Sequence, residues 1–170
     1  MQKIITGKTH VFGNNIDTDQ IYPGRYLELV DPEEIARHCM EGARPDFVSD
    51  FTVGDIVAGG TNFGCGSSRE HAAITAITLK SIGVSAVIAK SFARIFYRNS
   101  INLGLALIVC PEIDKLNLKG REEVTIDIEK GTVINNSVGV QISCEPISAY
   151  AMEILENGGI KNMIRAQFKK

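Results

Sequence analysis

Three short, largely apolar runs decide most of what this chain can become. They are Asp55-Ile56-Val57-Ala58-Gly59, Val84 to Ala89, and Leu105 to Cys110. Their cores do not alternate polar with apolar residues, so each reads as a strand buried on both faces, the habit of central strands in a parallel sheet. Between the first two runs lie a glycine-rich loop, Gly60 to Gly66, and a helix that Ser67 or Ser68 can cap, running through Ile82 and closed by Gly83. Between the second and third, Ser91 can cap a helix from Phe92 to Asn102 that Gly104 closes, and Pro111 stops the last run. The centre therefore reads as β-α-β-α-β with right-handed crossovers.

The flanks are less regular. Lys3 to Phe12 reads as a strand or a short hairpin, followed by a polar loop from Gly13 to Asp19 and a turn at Tyr22-Pro23-Gly24. Asp31 as cap, Pro32 at the first helical position, and Glu33 and Glu34 at the positive helix end predict a helix to about Met40. Arg44-Pro45-Asp46-Phe47 leads away as a loop. Past the core, Glu123 to Ile128 and Thr132 to Asn135 flank a turn at Glu129-Lys130-Gly131, and Val138 to Ser143 offers one more strand. These read as an antiparallel β addition. A helix from Pro146 to Glu156, ended by Gly158-Gly159, and another from Ile160 to Phe168 complete the chain. With 170 residues and no repeat or proline-rich linker, one α/β domain spanning 1–170 is expected.

Composition removes several functions. The formal charge is -2, from 18 basic and 20 acidic residues, so no basic excess invites nucleic acid. Apolar runs such as Leu103 to Cys110 fall far below the ~18 residues of a membrane span. The start, Met1 to Gly7, has no signal-peptide core, and a cytoplasmic location is expected. Cys39, Cys65, Cys110 and Cys144 form no CxxC pair and only three His exist, so zinc or iron–sulfur ligation by this chain alone is not expected; free thiols are.

The chemistry concentrates in Thr61-Asn62-Phe63-Gly64-Cys65-Gly66-Ser67-Ser68-Arg69-Glu70-His71-Ala72. A glycine turn enters a helix whose first residues are Ser, Ser and Arg. The exposed amides and dipole of such a helix start favour anions. Gly64 and Gly66 let the backbone approach a ligand, and Arg69 can grip a carboxylate through two parallel hydrogen bonds. The loop sits at the carboxyl end of a parallel strand, where open α/β sheets bind ligands. A P-loop is excluded because Gly66 precedes Ser67 rather than Lys. A dinucleotide fingerprint fails because position 69 is Arg, and neither serine satisfies G-x-S-x-G.

This stretch resembles the Gly-Ser-Ser-Arg-Glu signature of the aconitase superfamily. More closely, the chain resembles the separate small subunits of 3-isopropylmalate dehydratase and related hydro-lyases. Asp17-Thr18-Asp19-Gln20-Ile21-Tyr22-Pro23-Gly24-Arg25-Tyr26-Leu27 resembles that family's N-terminal loop, Arg44-Pro45-Asp46-Phe47 a stretch of its archaeal-type members, and Lys90 to Asn99 its second helix entry. The likeness spans roughly positions 3 to 165. It implies a swivelling β/β/α domain that covers a 4Fe-4S cluster carried by a partner large subunit, in a heterodimer or heterotetramer, with no cofactor bound by this chain. It implies a reaction that isomerises a small hydroxy di-acid by dehydration and rehydration. Ser67 matches the family's catalytic base; Ser68, Arg69 and Gly66 match substrate-binding positions, and Asp19 an active-site carboxylate that holds Arg69 or water. The cluster iron would act as Lewis acid on the departing hydroxyl, so this chain alone should be inactive.

Tyr26-Leu27-Glu28-Leu29 falls on the family's specificity loop. Homoaconitase-type members tend to carry arginine after Tyr-Leu, to receive a distal carboxylate; here Glu28 repels one. An apolar substituent fits better, which favours isopropylmalate in leucine biosynthesis. The alternatives are 2,3-dimethylmalate, citramalate or homoaconitate, and outside catalysis a stand-alone anion-binding regulatory module. The isolated subunit can also self-associate to hide its partner face. Plainer readings sit beside these. Ser67, Ser68 and Arg69 could be a helix cap with a surface arginine; Asp17 and Asp19 could shape an Asx turn. Cys65 reads as a small packing residue rather than a nucleophile, and His71 as an ordinary helix-facing histidine rather than a proton relay. Arg94 and Arg98 share a helical face toward a partner or solvent. Cys39, Cys110 and Cys144 read as buried small residues, while His10 and His38 join no constellation.

Overall fold

The computed structural model describes residues 1–66 and 69–169, with only the backbone at positions 69 and 70. The three apolar runs form strands: β2 (Ile56–Gly59), β3 (Ala86–Ala89) and β4 (Ala106–Val109), paired in parallel, with every residue of β2 and β3 buried. The N-terminal segment is one strand, β1 (Ile4–Val11), and not a hairpin. It pairs in parallel with β2 through Thr9–Val11 and in antiparallel with β5 (Glu123–Asp127) through Ile4–Lys8. β6 (Thr132–Asn135) and β7 (Val140–Ser143) continue outward.

The antiparallel strands are therefore no separate appendage. All belong to one seven-stranded sheet, ordered β4-β3-β2-β1-β5-β6-β7. The sequence hides this because β1 and β5 lie more than a hundred positions apart, and nothing local records their pairing. Burial follows the change of pairing. Along β5, Val124 and Ile126 are buried while Glu123 is exposed, as expected where one face of an antiparallel strand meets the core. The sheet curls until its edges meet, where the Glu145 amide donates to the Val109 carbonyl at 2.9 Å.

Among the described residues, seven α-helices accompany the sheet. They are α1 (Thr18–Ile21), α2 (Pro32–Ala36), α3 (Phe47–Asp50), α4 (Arg69–Ile82), α5 (Arg94–Asn102), α6 (Ala149–Glu156) and α7 (Ile160–Phe168). α4 packs against α1, α2 and α5, and α5 against α6. Asp31 caps α2 as predicted, accepting from the Glu34 amide, but α2 stops at Ala36 and not near Met40. Beyond it the chain runs in single turns, because the Met40 amide is taken by the Ile21 carbonyl at 2.7 Å, with Met40 at φ 57. α5 starts at Arg94, two residues later than expected, and Ser91 does not cap it. The Ser91 hydroxyl accepts instead from the Asn62 amide, 2.8 Å away in the preceding loop. α6 likewise begins after Ser148, whose hydroxyl accepts from the Ala151 amide.

His10, silent in the sequence, proves to be core. Its ring lies 2.8 Å from Asp55 Oδ2, with both residues buried. Phe47 meets the ring edge-on at 5.0 Å, and the Thr52 amide donates to the same Asp55 oxygen. This pair ties β1 to the turn that launches β2. Asp55→Ala should lower the unfolding free energy of the chain by about 3 kcal/mol, because it strands a buried imidazole and a backbone amide. Urea denaturation followed by circular dichroism measures this; a loss below about 1 kcal/mol contradicts the assignment.

Candidate active site

The loops that follow β1, β2 and β3 all leave from the carboxyl ends of parallel strands, and they are woven together by backbone bonds. The Asn15 amide donates to Thr61, Gly64 to Ile16, and Thr18 to Cys65, each at 2.8 Å. The third loop joins through Phe63, whose amide donates to Ser91 and whose carbonyl accepts from Ala93, both at 3.0 Å. Phe63 is buried between Phe92 and Phe96. The glycine turn is thus held on both sides as it enters α4.

The two glycines of this turn serve different ends. Gly64 has φ 80, and a Cβ there would lie 2.2 Å from the buried ring of Phe96. It is kept for packing and for its left-handed backbone, not for approach to a ligand as its sequence context suggested. Gly66, at φ 107, is exposed and sits against Thr18, whose hydroxyl lies 3.2 Å from where a Cβ would stand. Ser67 and Ser68 lie outside the described residues. Of Arg69, the backbone opens α4 and the side chain lies outside them too.

α1 braces the other side. Asp17 is its cap: the carboxylate accepts from the Gln20 amide at 2.8 Å, and the Gln20 side chain accepts from the Asp17 amide at 3.0 Å. That closed box gives Asp17 a structural role. Asp19 lies two residues on, and its Oδ1 accepts from the Gly24 amide at 2.7 Å. His71 reaches the same place from α4. Its Nε2 lies 2.6 Å from the Tyr22 carbonyl, so that nitrogen carries the proton and donates. His71 is buried and fastens α4 to the turn before Gly24. Asp19, Gly24 and His71 therefore meet beside the first turn of α4, and Gly66 lies against Asp17 and Thr18. Cys65 is half-buried, with its thiol pKa raised by burial and by the charge of Asp17, the opposite of what a nucleophile needs.

The expected specificity loop divides in two. Tyr26 faces its own chain: its ring stacks on His38 at 3.6 Å and its hydroxyl donates to Glu41 at 2.9 Å. Arg25 pairs with the same Glu41 oxygen at 2.8 Å, and His38 Nδ1 lies 2.6 Å from the other. Leu27 and Glu28 point into solvent, and Leu29 is half-buried. His38 and Glu41 were missed in the sequence. Their three-residue spacing was the available signal, but only the fold brings Tyr26 onto them. Arg94 and Arg98 are exposed on α5, where they line a groove with Tyr97, Ile101 and Tyr150. A cleft of about 270 Å³ opens at the same strand ends, but it is lined by Phe12, Asn14, Gly60 and Asp114 and not by Asp19 or Gly66.

Among the described residues, no group of three or more His, Cys, Asp or Glu stands where it could hold a metal ion. The four cysteines are free and no three of them come together, so they do not fit a cluster of this chain's own. No helix among those residues is long and apolar enough to cross a membrane.

The glycine turn and the parallel strands around it match a known family model, that of the aconitase C-terminal domain. That family matches residues 52–112, the span from β2 through β4. Longer matches are more particular. The chain is 48% identical over 167 residues to 3-isopropylmalate dehydratase small subunit 1 of Methanopyrus kandleri, covering 98% of this chain and 96% of that one. It is also 48% identical over 162 residues to the methanogen homoaconitase small subunit of Methanothermobacter thermautotrophicus, covering 95% and 91%. A crystal structure of 3-isopropylmalate dehydratase from Methanocaldococcus jannaschii superposes with a TM-score of 0.89 at 43% identity, over 96% of this chain and 95% of that one. The chain belongs to the family of 3-isopropylmalate dehydratase small subunits.

The Tyr26 cluster carries a pH dependence. Burial alone raises the Glu41 pKa, but hydrogen bonds from His38 and Tyr26 outweigh it and hold the carboxyl below its ordinary value. A depressed carboxylate stabilises the fold above its unfolded pKa, and that contribution is lost as pH falls through the lower folded value. The Tyr26–His38 stack should therefore persist at neutral pH and loosen below about pH 4. The Tyr26 ring resonances, followed by NMR, should move in that window, and Glu41→Gln should abolish the movement. An unchanged transition in Glu41→Gln contradicts the assignment.

Proposed function

We propose that residues 1–170 act as one swivelling domain, the small subunit of a two-chain hydro-lyase that isomerises isopropylmalate by dehydration and rehydration. One observation carries this reading: the glycine turn before α4 is braced against α1, the helix that carries Asp19. A helix start of fourteen residues offers unsatisfied amides and the positive end of a dipole. A substrate carboxylate at that point is held by these amides and by Arg69, with Ser68 and Gly66 completing the cradle.

The chemistry needs a base, because the proton lost lies beside a carboxylate and is weakly acidic. Ser67 takes it. A serine hydroxyl is a poor base, so its alkoxide form needs the helix amides and Arg69 close by. The proton stays on Ser67 until rehydration returns it to the neighbouring carbon. Asp19, oriented by the Gly24 amide, steadies Arg69 or a water molecule. A large-subunit partner carries the iron–sulfur cluster, which supplies Lewis-acid chemistry at the departing hydroxyl. Leu27 and Val30, 42% and 87% exposed, give the face around the specificity loop an apolar rim suited to such a partner. The role of a small subunit, which the relatives' names carry, fits the same picture.

Glu28 at the exposed tip favours an apolar substituent over a distal carboxylate. Isopropylmalate is the first choice. A second reading keeps the mechanism and exchanges the substrate for 2,3-dimethylmalate or citramalate. Equal identity to an isopropylmalate-type and a homoaconitase-type relative makes the loop, not overall similarity, the discriminating feature.

Assayed with its large subunit, Ser67→Ala should retain binding to that subunit and lose about a thousandfold in turnover, in the range for loss of a general base. Turnover within a few-fold of wild type removes Ser67 from the role. A panel of isopropylmalate, dimethylmalate, citramalate and homocitrate should rank the apolar-substituted malates first. A preference for homocitrate refutes the reading of Glu28.

A further inference from the structure

Cys110 and Cys144 take no part in the candidate site, yet the fold brings them together from opposite margins of the sheet. Cys110 follows β4, one edge strand, and Cys144 follows β7, the other. Where the curled edges meet, the Glu145 amide donates to the Val109 carbonyl, so the peptide groups beside the two cysteines face each other. Residues opposed across such a bond have Cα atoms about 5 Å apart, inside the range a disulfide spans. The two Sγ atoms stand 2.7 Å from one another as free thiols.

We infer that Cys110 and Cys144 form a redox-active dithiol, a modification site at which a small-molecule disulfide converts the meeting edges of the sheet into a covalent clasp. The sulfurs are not equivalent. Cys110 is fully buried, whereas Cys144 is half-buried, so an incoming disulfide meets Cys144 first. The hydrogen bond between them holds the Cys144 thiol below its ordinary pKa and drives that of Cys110 up. Neither remaining cysteine competes well: burial raises the pKa of Cys39, and burial with the Asp17 charge raises that of Cys65.

The exchange balances in two displacements. The Cys144 thiolate attacks one sulfur of R–S–S–R, the S–S bond breaks, and RS⁻ leaves to take up the proton that Cys144 gave to solvent. Cys110 then loses its proton and attacks the Cys144 sulfur of the mixed disulfide, expelling the second RS⁻. The protein gives up two protons and two electrons, and the reagent becomes two thiols. This proposal does not depend on the catalytic reading.

The test treats the folded full-length chain with oxidised glutathione and reads intact mass, thiol count and peptide maps. The wild type should lose two of its four thiols, drop in mass by two hydrogens and yield one linked peptide pair joining Cys110 to Cys144. Its urea midpoint should rise and return after reduction. Cys110→Ala should stop at a mixed disulfide on Cys144, and Cys144→Ser should form neither species. The proposal is overturned if the wild type stops at a mixed disulfide, reacts first at Cys65, or keeps all four thiols.

Discussion

The turn after β1 and the turn after β2 are joined amide to carbonyl from Phe12–Ala58 through Gly60–Gly13, Asn15–Thr61 and Gly64–Ile16 to Thr18–Cys65. Polar backbone at the end of a sheet must find partners, and here each turn satisfies the other. The consequence reaches beyond hydrogen-bond accounting. α4 leaves from the second turn and α1 from the first, so the weave fixes the helix start against Asp19 and Gly24. Phe63 and Phe96 hold the same turn from beneath, and Gly64 is the point at which backbone and ring approach most closely. The anion site proposed above needs a helix end that is held still, and the weave braces the loop that precedes it.

Much of the fold was legible because it is written locally. The runs at β2, β3 and β4 are apolar throughout, and the glycines at 83 and 104 both adopt positive φ where their helices end. What escaped the sequence was set by distant partners. β1 joins the parallel and antiparallel halves, a relation no window around Ile4 to Val11 contains. α2 stops early because the carbonyl of Ile21 captures the Met40 amide, and Ser91 forgoes a helix cap for the amide of Asn62. The same division holds at the site. The glycine turn and Asp19 announced themselves as motifs, whereas the anchoring of His71 on Tyr22 and of Tyr26 on His38 and Glu41 depends on chain crossings invisible in one dimension.

The loop from Tyr26 to Leu29 shows how a rigid base can carry a variable tip. Tyr26 is locked by a stacked imidazole, a shared carboxylate and the Arg25 guanidinium 4.7 Å over its ring, while the Tyr22 hydroxyl donates to its carbonyl at 2.6 Å. Leu27 and Glu28 follow directly and are free to meet whatever lies opposite. On the reading proposed above, changes at these two positions retune the side-chain preference of the site without disturbing the weave beneath. Family members with different substrates and equal overall identity to this chain accord with that separation of scaffold from tip.

Amide hydrogen exchange, recorded for the chain alone and then bound to its large subunit, reads out which face closes the active site. The account predicts new protection concentrated in residues 17–28 and 61–72, where the two turns, α1 and the entrance to α4 converge. Protection confined to β5–β7 or to the α6–α7 pair, with the α4 entrance exchanging as it does in the free chain, would contradict it.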